Sequence, residues 1–221
     1  MNVKRISRIS GVLYLTTVPA FLVSNLLLKG QLVNAPDIAG TLGRVADNVL
    51  RYRLAVAIDF LGMVAVMALV FSLYIILKPF NPYLALLALG WRIGEVVLQA
   101  GAKVPDYLLL TLSQSGGEMA ELVPLGQMLL TGSTQAVWLS FVFLSAGSVV
   151  NNFLFYKSKG IPRVLAVYGL ISTGLYGLGS MAALVVDLSE GLIQGMLLPL
   201  VLFELMLGLY LAIAGMREAT S

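Results

Sequence analysis

Tyr83–Ala102, YLALLALGWRIGEVVLQAGA, is the stretch that decides the fold. About 20 apolar residues at ~1.5 Å each cross a ~30 Å hydrocarbon core, so the stretch predicts a transmembrane helix. It nevertheless contains Arg92, Glu95 and Gln99, whose i, i+3, i+7 spacing places them on one helical face. A charge at mid-bilayer costs at least ~2.5–3.5 kcal/mol unless it has a partner. The polar face is therefore expected to point into a bundle of further helices.

The composition of the whole chain agrees with a membrane protein. Of its 221 residues, 59% are hydrophobic and 11% are charged, whereas about 25% of the residues of a soluble domain are charged. The chain contains no Cys and no His, which excludes disulfides, thiol catalysis, Cys or His metal sites and His-ligated haem. We therefore expect no metal site and no cofactor. The net charge of +3 is typical of membrane topology and contact with anionic lipid, so no nucleic-acid partner is expected.

Hydropathy and turn residues predict a single domain, 1–221, of the all-α class: a polytopic membrane bundle of six transmembrane helices with one or two short interfacial helices. Apolar residues at helical spacing in 38–49 indicate one amphipathic interfacial helix. The segment 119–131 is too short to span and contains Pro124, which indicates an interfacial or re-entrant segment. The predicted spans are about 9–28, 52–77, 83–112, 133–156, 164–186 and 192–216.

Small residues recur in the fifth predicted span. Gly169, Thr173 and Gly177 follow each other at intervals of four, which is typical of close helix packing in membranes. We expect this face to contact neighbouring helices.

The distribution of basic residues predicts the orientation. Six spans place both termini on one side, and most basic residues outside the spans fall on that side, so the positive-inside rule predicts cytoplasmic N and C termini. The basic residues of the first loop are the exception: Lys29, Arg44, Arg51 and Arg53.

Four ionisable residues lie inside the predicted spans: Asp59, Arg92, Glu95 and Glu204. Counted from the helix ends at ~1.5 Å per residue, all four can converge in the outer half to the middle of one bundle. Three acids and one base would leave two excess negative charges, which burial disfavours. Either one acid stays protonated, or Arg53 compensates, or a cation or cationic ligand completes the site.

Intramembrane ionisable residues mark functional sites by default, although a purely structural ion pair that fixes helix packing is the competing interpretation. The candidate ligand-binding residues are Asp59, Arg92, Glu95, Gln99 and Glu204, with Arg53, Tyr168 and Tyr176 as weaker candidates. No catalytic residue is assigned.

Several segments together resemble a known family. They are ISRISGVLYL (6–15), YRLAVAIDFLG (52–62), LYIILKPFNPYLALLALGWRIGEVVLQA (73–100), YKSKGIPRVLAVYGLISTGLYGL (156–178) and Glu204 in the last helix. They resemble the prokaryotic integral-membrane family known as "domain of unknown function 4386", over nearly the whole chain. The resemblance implies a six-helix membrane fold in a prokaryotic cell membrane. It implies no established activity and supplies no catalytic residues.

Three functions remain open from the sequence. The first is a binding protein whose charged cluster holds the polar group of a lipid-like or amphipathic small molecule. The second is an integral-membrane enzyme that uses a buried carboxylic acid on an isoprenoid or lipid substrate. The third is a proton- or ion-coupled transporter, for which six helices would require a homodimer. The expected partners are membrane lipids and the lipid-like ligand.

Overall fold

The computed structural model describes residues 2–217, apart from the side chains of residues 190, 193 and 194. Over this part of the chain the regular elements are helices, without a strand. They are α1 (Val3–Leu22), which continues as a π-helix (Val23–Lys29), α2 (Ile38–Asp47), α3 (Val49–Leu77), α4 (Pro82–Ser113), α5 (Met119–Ser158), α6 (Arg163–Ala183) and α7 (Glu190–Ile213).

Within the described residues, six helices are long and apolar enough to cross a membrane: α1 with its π-helical extension, α3, α4, α5, α6 and the Gly195–Ile213 part of α7. Each of these six packs against the next one along the chain, and α7 packs against α1. The spans therefore form a closed ring. This arrangement confirms the predicted fold class, and the chain is a multi-pass integral membrane protein.

Two hydrogen bonds join the segments near both ends of the described chain at one end of the ring. The Met216 N–H donates to Ser7 Oγ at 2.8 Å, and the Arg217 N–H donates to Gly160 O at 2.9 Å. The first turns of α1, the segment after α7 and the turn between α5 and α6 thus meet. We call this the terminal end, and the opposite one the α2 end.

The short helix α2 covers the α2 end of the ring. Its apolar residues were expected to lie in the membrane interface, but Ile38, Leu42 and Val45 are buried against α4 and α5. Asp37 caps α2 by accepting a hydrogen bond from the Gly40 N–H at 2.9 Å. That bond, with help from the nearby Arg44 guanidinium, lowers the pKa of the Asp37 carboxyl.

Helix α5 corrects one sequence prediction. It is a continuous helix of 40 residues, so the segment 119–131 is part of it and is neither a separate interfacial helix nor re-entrant. At ~1.5 Å per residue α5 is ~60 Å long, about twice the hydrocarbon thickness. Its first turns therefore project beyond the bilayer, where Gly126 packs against Ile38 of α2.

The first span is longer than predicted and changes helix type. It runs from Val3 to Lys29, and its last seven residues are π-helical. A π-helical stretch is rare and often occurs at functional sites. Here Ser24 donates a hydrogen bond to Ala55 O on α3 at 3.0 Å, and Lys29 is buried. The expectation that Lys29 belongs to the first loop is therefore wrong.

The small residues of α6 allow the predicted close approach of neighbouring helices. A Cβ atom added at Gly177 would lie 2.1 Å from Ser145 Oγ on α5, and one at Gly169 would lie 2.4 Å from the Phe203 ring on α7. Ser145 Oγ donates a hydrogen bond to the Thr173 carbonyl. The small face of α6 therefore fixes its distance to α5 and α7.

Candidate functional site

The polar face of α4 points into the ring, as its spacing predicts. Arg92 Nη1 lies 3.0 Å from Glu95 Oε2, and both side chains are only 3% exposed. Gln99 Nε2 donates a hydrogen bond to Glu95 Oε1 at 3.2 Å. Arg92 Nη1 also donates to Ser148 Oγ on α5 at 3.3 Å. The arginine therefore joins α4 to α5 while it pairs with its own helix.

A glycine of α5 makes room for the arginine. A Cβ atom added at Gly147 would lie 2.7 Å from Arg92 Cγ and 3.0 Å from Ala88 O. A larger residue would displace the guanidinium, so Gly147 positions Arg92. The sequence does not predict this role, because nothing in the local pattern distinguishes Gly147 from other membrane glycines.

A cavity of about 90 Å³ lies beside the Arg92–Glu95 pair. Glu204 of α7, which is partly buried, lines the cavity together with Arg92, Glu95 and Gln99. The remaining lining is mostly apolar or aromatic and includes Tyr14, Phe141 and Tyr176. We call Arg92, Glu95 and Glu204 the inner cluster. The structure thus brings together four of the five principal candidate residues around one cavity.

Several polar atoms around this cavity have no partner. Among the side chains that the structure describes, Arg92 Nε is buried without a hydrogen bond, and Glu95 Oε2 has only its contact with Arg92 Nη1. The Glu204 carboxylate forms no ion pair or hydrogen bond with a described residue. Buried polar atoms are normally satisfied by protein or water. The cavity is large enough for several waters or for a compact polar group.

The fifth candidate, Asp59, belongs to a second group of charges. Lys29 Nζ and Lys103 Nζ each lie 2.9 Å from Asp59 Oδ2. Lys29 Nζ also lies 2.6 Å from Asp106 Oδ2, and Lys103 Nζ lies 3.4 Å from it. We call these four residues the outer cluster; its two bases and two acids are electrically balanced. Asp59 was expected to join Arg92, but the longer first span brings Lys29 to it instead.

Neutral residues complete the outer cluster. Ser133 Oγ of α5 lies 2.8 Å from Asp106 Oδ1, and Asn25 Nδ2 donates to Asp59 Oδ1 at 3.4 Å. The Tyr52 hydroxyl donates to the Asp106 carbonyl at 3.1 Å. Residues of α3, α4, α5 and the π-helical extension of α1 therefore converge here, and the network links these helices inside the bundle.

Two further cavities along α4 share lining residues with the two clusters. Gln99 lines the inner cavity and also a cavity of about 50 Å³ that reaches Asp59 and Lys103. Lys103 in turn lines a cavity of about 340 Å³ near the α2 end, with Lys29 and Asp106. Polar groups and cavities thus follow one another from the inner cluster toward the α2 end.

The comparison with protein families matches residues 9–215 to the model described as "Domain of unknown function (DUF4386)". The chain belongs to the DUF4386 family. The match covers nearly the whole chain and every residue of both clusters, and its description assigns no activity. Neither the curated proteins nor the solved structures contain a match to the chain.

The three weaker candidate residues of this DUF4386 protein do not all lie at the inner cavity. Tyr176 is buried and lines the inner cavity. The Tyr168 hydroxyl donates to the Pro199 carbonyl at 2.9 Å, which ties α6 to α7 away from that cavity. Arg53 is exposed on α3 and forms no ion pair with a described residue. Arg53 therefore does not balance the inner cluster.

Within residues 2–217, no group of three or more His, Cys, Asp or Glu side chains is placed to hold a metal ion. In the inner cluster, Glu95 already contacts Arg92. What the inner cavity offers chemically is a carboxylate, an arginine and tyrosine hydroxyls within an apolar wall.

Proposed function

We propose that this DUF4386 protein binds an amphipathic, lipid-like small molecule whose polar group enters the inner cavity. The observation that carries the proposal is the coincidence of a cavity with unpartnered polar atoms: Glu204 has no described partner, and Arg92 Nε is unsatisfied beside it. A carboxylate without a counter-charge in a low-dielectric cavity is costly, so a ligand group that pairs with Glu204 binds favourably.

The volume of the inner cavity limits how much of the ligand can be enclosed. Its volume of about 90 Å³ is well below the ~300–1,000 Å³ of pockets that enclose a drug-sized ligand. Only a polar group and a short neck fit. Lining residues that are partly exposed, Phe21 of α1 and Leu197 and Val201 of α7, offer a side opening toward lipid. An apolar tail would leave between α1 and α7 and lie in the bilayer.

The outer cluster is an example of the competing interpretation, in which a buried ion-pair network only fixes the packing of the helices. There each acid contacts a lysine, the charges balance, and neutral side chains supply further hydrogen bonds. The inner cluster differs because one of its acids is unpaired and faces a cavity. A network that served packing alone would gain nothing from a third charge, so this difference supports binding.

Native mass spectrometry of gently purified protein tests the proposal. Leu200 is 3% exposed and lines the cavity, so Leu200→Trp would fill it; Leu202 on the same helix is 45% exposed to lipid and serves as the control. Wild type and Leu202→Trp are expected to retain the same additional mass, and Leu200→Trp is expected to lose it. Absence of a retained mass from wild type, or equal retention in a folded Leu200→Trp protein, would contradict the proposal.

The chain of cavities along α4 favours transport as a second candidate function. Gln99 and Lys103 line the cavities between the inner cluster and the α2 end, a route along which protons or small ions could pass. Proteoliposomes with an imposed pH gradient and a trapped pH indicator test this. Faster pH equilibration with wild type than with Gln99→Leu, at equal protein content, is the expected result. Equal rates for wild type, Gln99→Leu and protein-free vesicles would exclude it.

For the membrane and orientation, we propose a prokaryotic plasma membrane with cytoplasmic N and C termini. The structure supports the orientation by reducing the exceptions in the first loop. Lys29 is neutralised in the outer cluster, and Arg44 pairs with Asp37 at 3.2 Å. The basic residues in the terminal turns of the spans and in the turns between them then lie mainly at the terminal end: Lys4, Arg5, Arg8, Lys78, Lys157, Lys159, Arg163 and Arg217.

A further inference from the structure

We infer that the polar group held in the inner cavity is a cation, an amine or quaternary ammonium group. This inference rests on the proposed function and specifies its ligand class. Two features of the site support a cation: the charge balance of the inner cluster and the aromatic rings of the cavity wall.

When its three groups are ionised, the inner cluster carries one net negative charge, because two glutamates face one arginine. Arg92 compensates Glu95 through their 3.0 Å contact, which leaves the Glu204 carboxylate without a counter-charge. The outer cluster is balanced within itself, and Arg53 is exposed on α3. No other described base contacts the inner cluster. A ligand that brings one positive charge therefore makes the site neutral.

Aromatic side chains provide the second feature of a cation site. Tyr14, Phe141 and Tyr176 all line the cavity, and the rings of Phe141 and Tyr176 are 5.2 Å apart. The face of an aromatic ring attracts a cation within ~6 Å, and the attraction is stronger when the cation is desolvated. A carboxylate beside several aromatic rings, in a space of about 90 Å³, suits a compact substituted ammonium group.

The other ligand classes fit less well. An anionic group would meet the uncompensated Glu204 carboxylate and the negative faces of the rings, and like charges in a low-dielectric site repel strongly. A neutral hydroxyl or carbonyl could hydrogen-bond to the cluster but would leave its charge uncompensated. If Glu204 instead carried a proton, the cavity would prefer such a neutral group, and the experiment below separates the two cases.

The experiment compares two probes of the same shape on protein in lipid nanodiscs: choline, and its uncharged carbon isostere 3,3-dimethylbutan-1-ol. The thermal unfolding midpoint is measured against probe concentration, because a ligand that binds only the folded state raises it. Choline is expected to raise the midpoint at a concentration at least ~tenfold below that required for the isostere, a factor that one cation–aromatic contact can supply.

Two variants, each compared with a second one, identify the groups responsible. Glu204→Gln preserves size and removes the charge, and is expected to weaken choline binding by at least ~tenfold, because the trimethylammonium group loses its counter-charge in a low-dielectric site. Asp47→Asn removes an exposed acid of α2 and is the matched control, with unchanged binding. Tyr176→Leu removes an aromatic ring of the cavity wall and is expected to weaken choline binding more than Tyr176→Phe, which keeps the ring.

Each outcome decides the inference. Preference for choline that is lost in Glu204→Gln supports it. Equal stabilisation by both probes, abolished by Leu200→Trp, overturns the cation class and leaves the proposed function standing. Absence of stabilisation by choline overturns the inference as well. The mass retained by wild type in native mass spectrometry then decides separately whether the proposed function stands.

Discussion

Arg92 contacts a carboxylate of its own helix and a serine of α5, in a cavity wall at the middle of a transmembrane helix. Arg92→Ala is expected to lower the free energy of unfolding by ~3–5 kcal/mol, because it leaves Glu95 buried without its counter-charge. Arg53→Ala is the control, since Arg53 is exposed on α3. Unfolding in a denaturant series measures both. Arg92→Lys is expected to recover only part of the loss, because a lysine cannot bond Glu95 and Ser148 with a planar fork.

Equal stability of Arg92→Ala and Arg53→Ala would contradict this prediction. It would mean that the guanidinium is hydrated rather than paired with Glu95, and that the inner cluster does not hold the helices together.

The two glutamates of the inner cluster are expected to respond differently to neutralisation. Glu95→Gln removes the carboxylate that contacts Arg92 and leaves the guanidinium uncompensated, whereas Glu204→Gln removes an unpaired acid. In thermal unfolding without added ligand, Glu95→Gln should therefore be the less stable variant. The reverse order would show that Arg92 depends on Glu204, and would remove the free carboxylate from the cavity.

The sequence predicted all three residues of the inner cluster. Of the outer cluster it predicted Asp59 and missed Lys29, Lys103 and Asp106. The spacing of Arg92, Glu95 and Gln99 was sufficient, because a long apolar helix leaves a buried charge no alternative to the bundle interior. Lys103 and Asp106 continue the same face at i+11 and i+14 from Arg92, so extending the pattern would have found them. Lys29 could not be found this way, since its burial depends on the π-helical end of the first span.

Among the elements, α6 depends most visibly on small residues. Gly177→Ala would place a Cβ atom 2.1 Å from Ser145 Oγ, and overpacking of this kind costs ~1–3 kcal/mol. Gly174→Ala on the same helix is the matched control, because nothing lies within 4 Å of its added Cβ. Thermal unfolding of the two variants in one detergent is the measurement. Equal stability of the two variants would mean that α5 and α6 are farther apart than described.

Helix α5 shows why the boundaries of elements were harder to predict. Pro124 removes one backbone hydrogen bond, which on sequence grounds favours a break. In the structure the surrounding residues Leu122, Val123 and Leu130 pack with α2 and α4, and this burial keeps the helix continuous. The six spans themselves were predictable, because their hydropathy does not depend on such tertiary contacts.

For the whole molecule, the ring makes a clear prediction of sidedness. The chain contains no Cys, so single variants Lys159→Cys, Arg217→Cys and Gly117→Cys can be labelled without background. In intact cells a membrane-impermeant maleimide is expected to label Gly117→Cys and to label the other two only after permeabilisation. Labelling of Lys159→Cys in intact cells, with Arg217→Cys protected, would contradict the closed ring, which places both at the terminal end.

Both proposals require that the ring contains a site in which the Glu204 carboxylate contacts a bound ligand and not another described side chain. An experimental density map of the protein in lipid nanodiscs, prepared without harsh detergent, tests it most directly. We expect density for a non-protein group beside Glu204 and the Arg92–Glu95 pair, continuing past Phe21 between α1 and α7. A closed cavity with the Glu204 carboxylate bonded directly to the Arg92 guanidinium would contradict it.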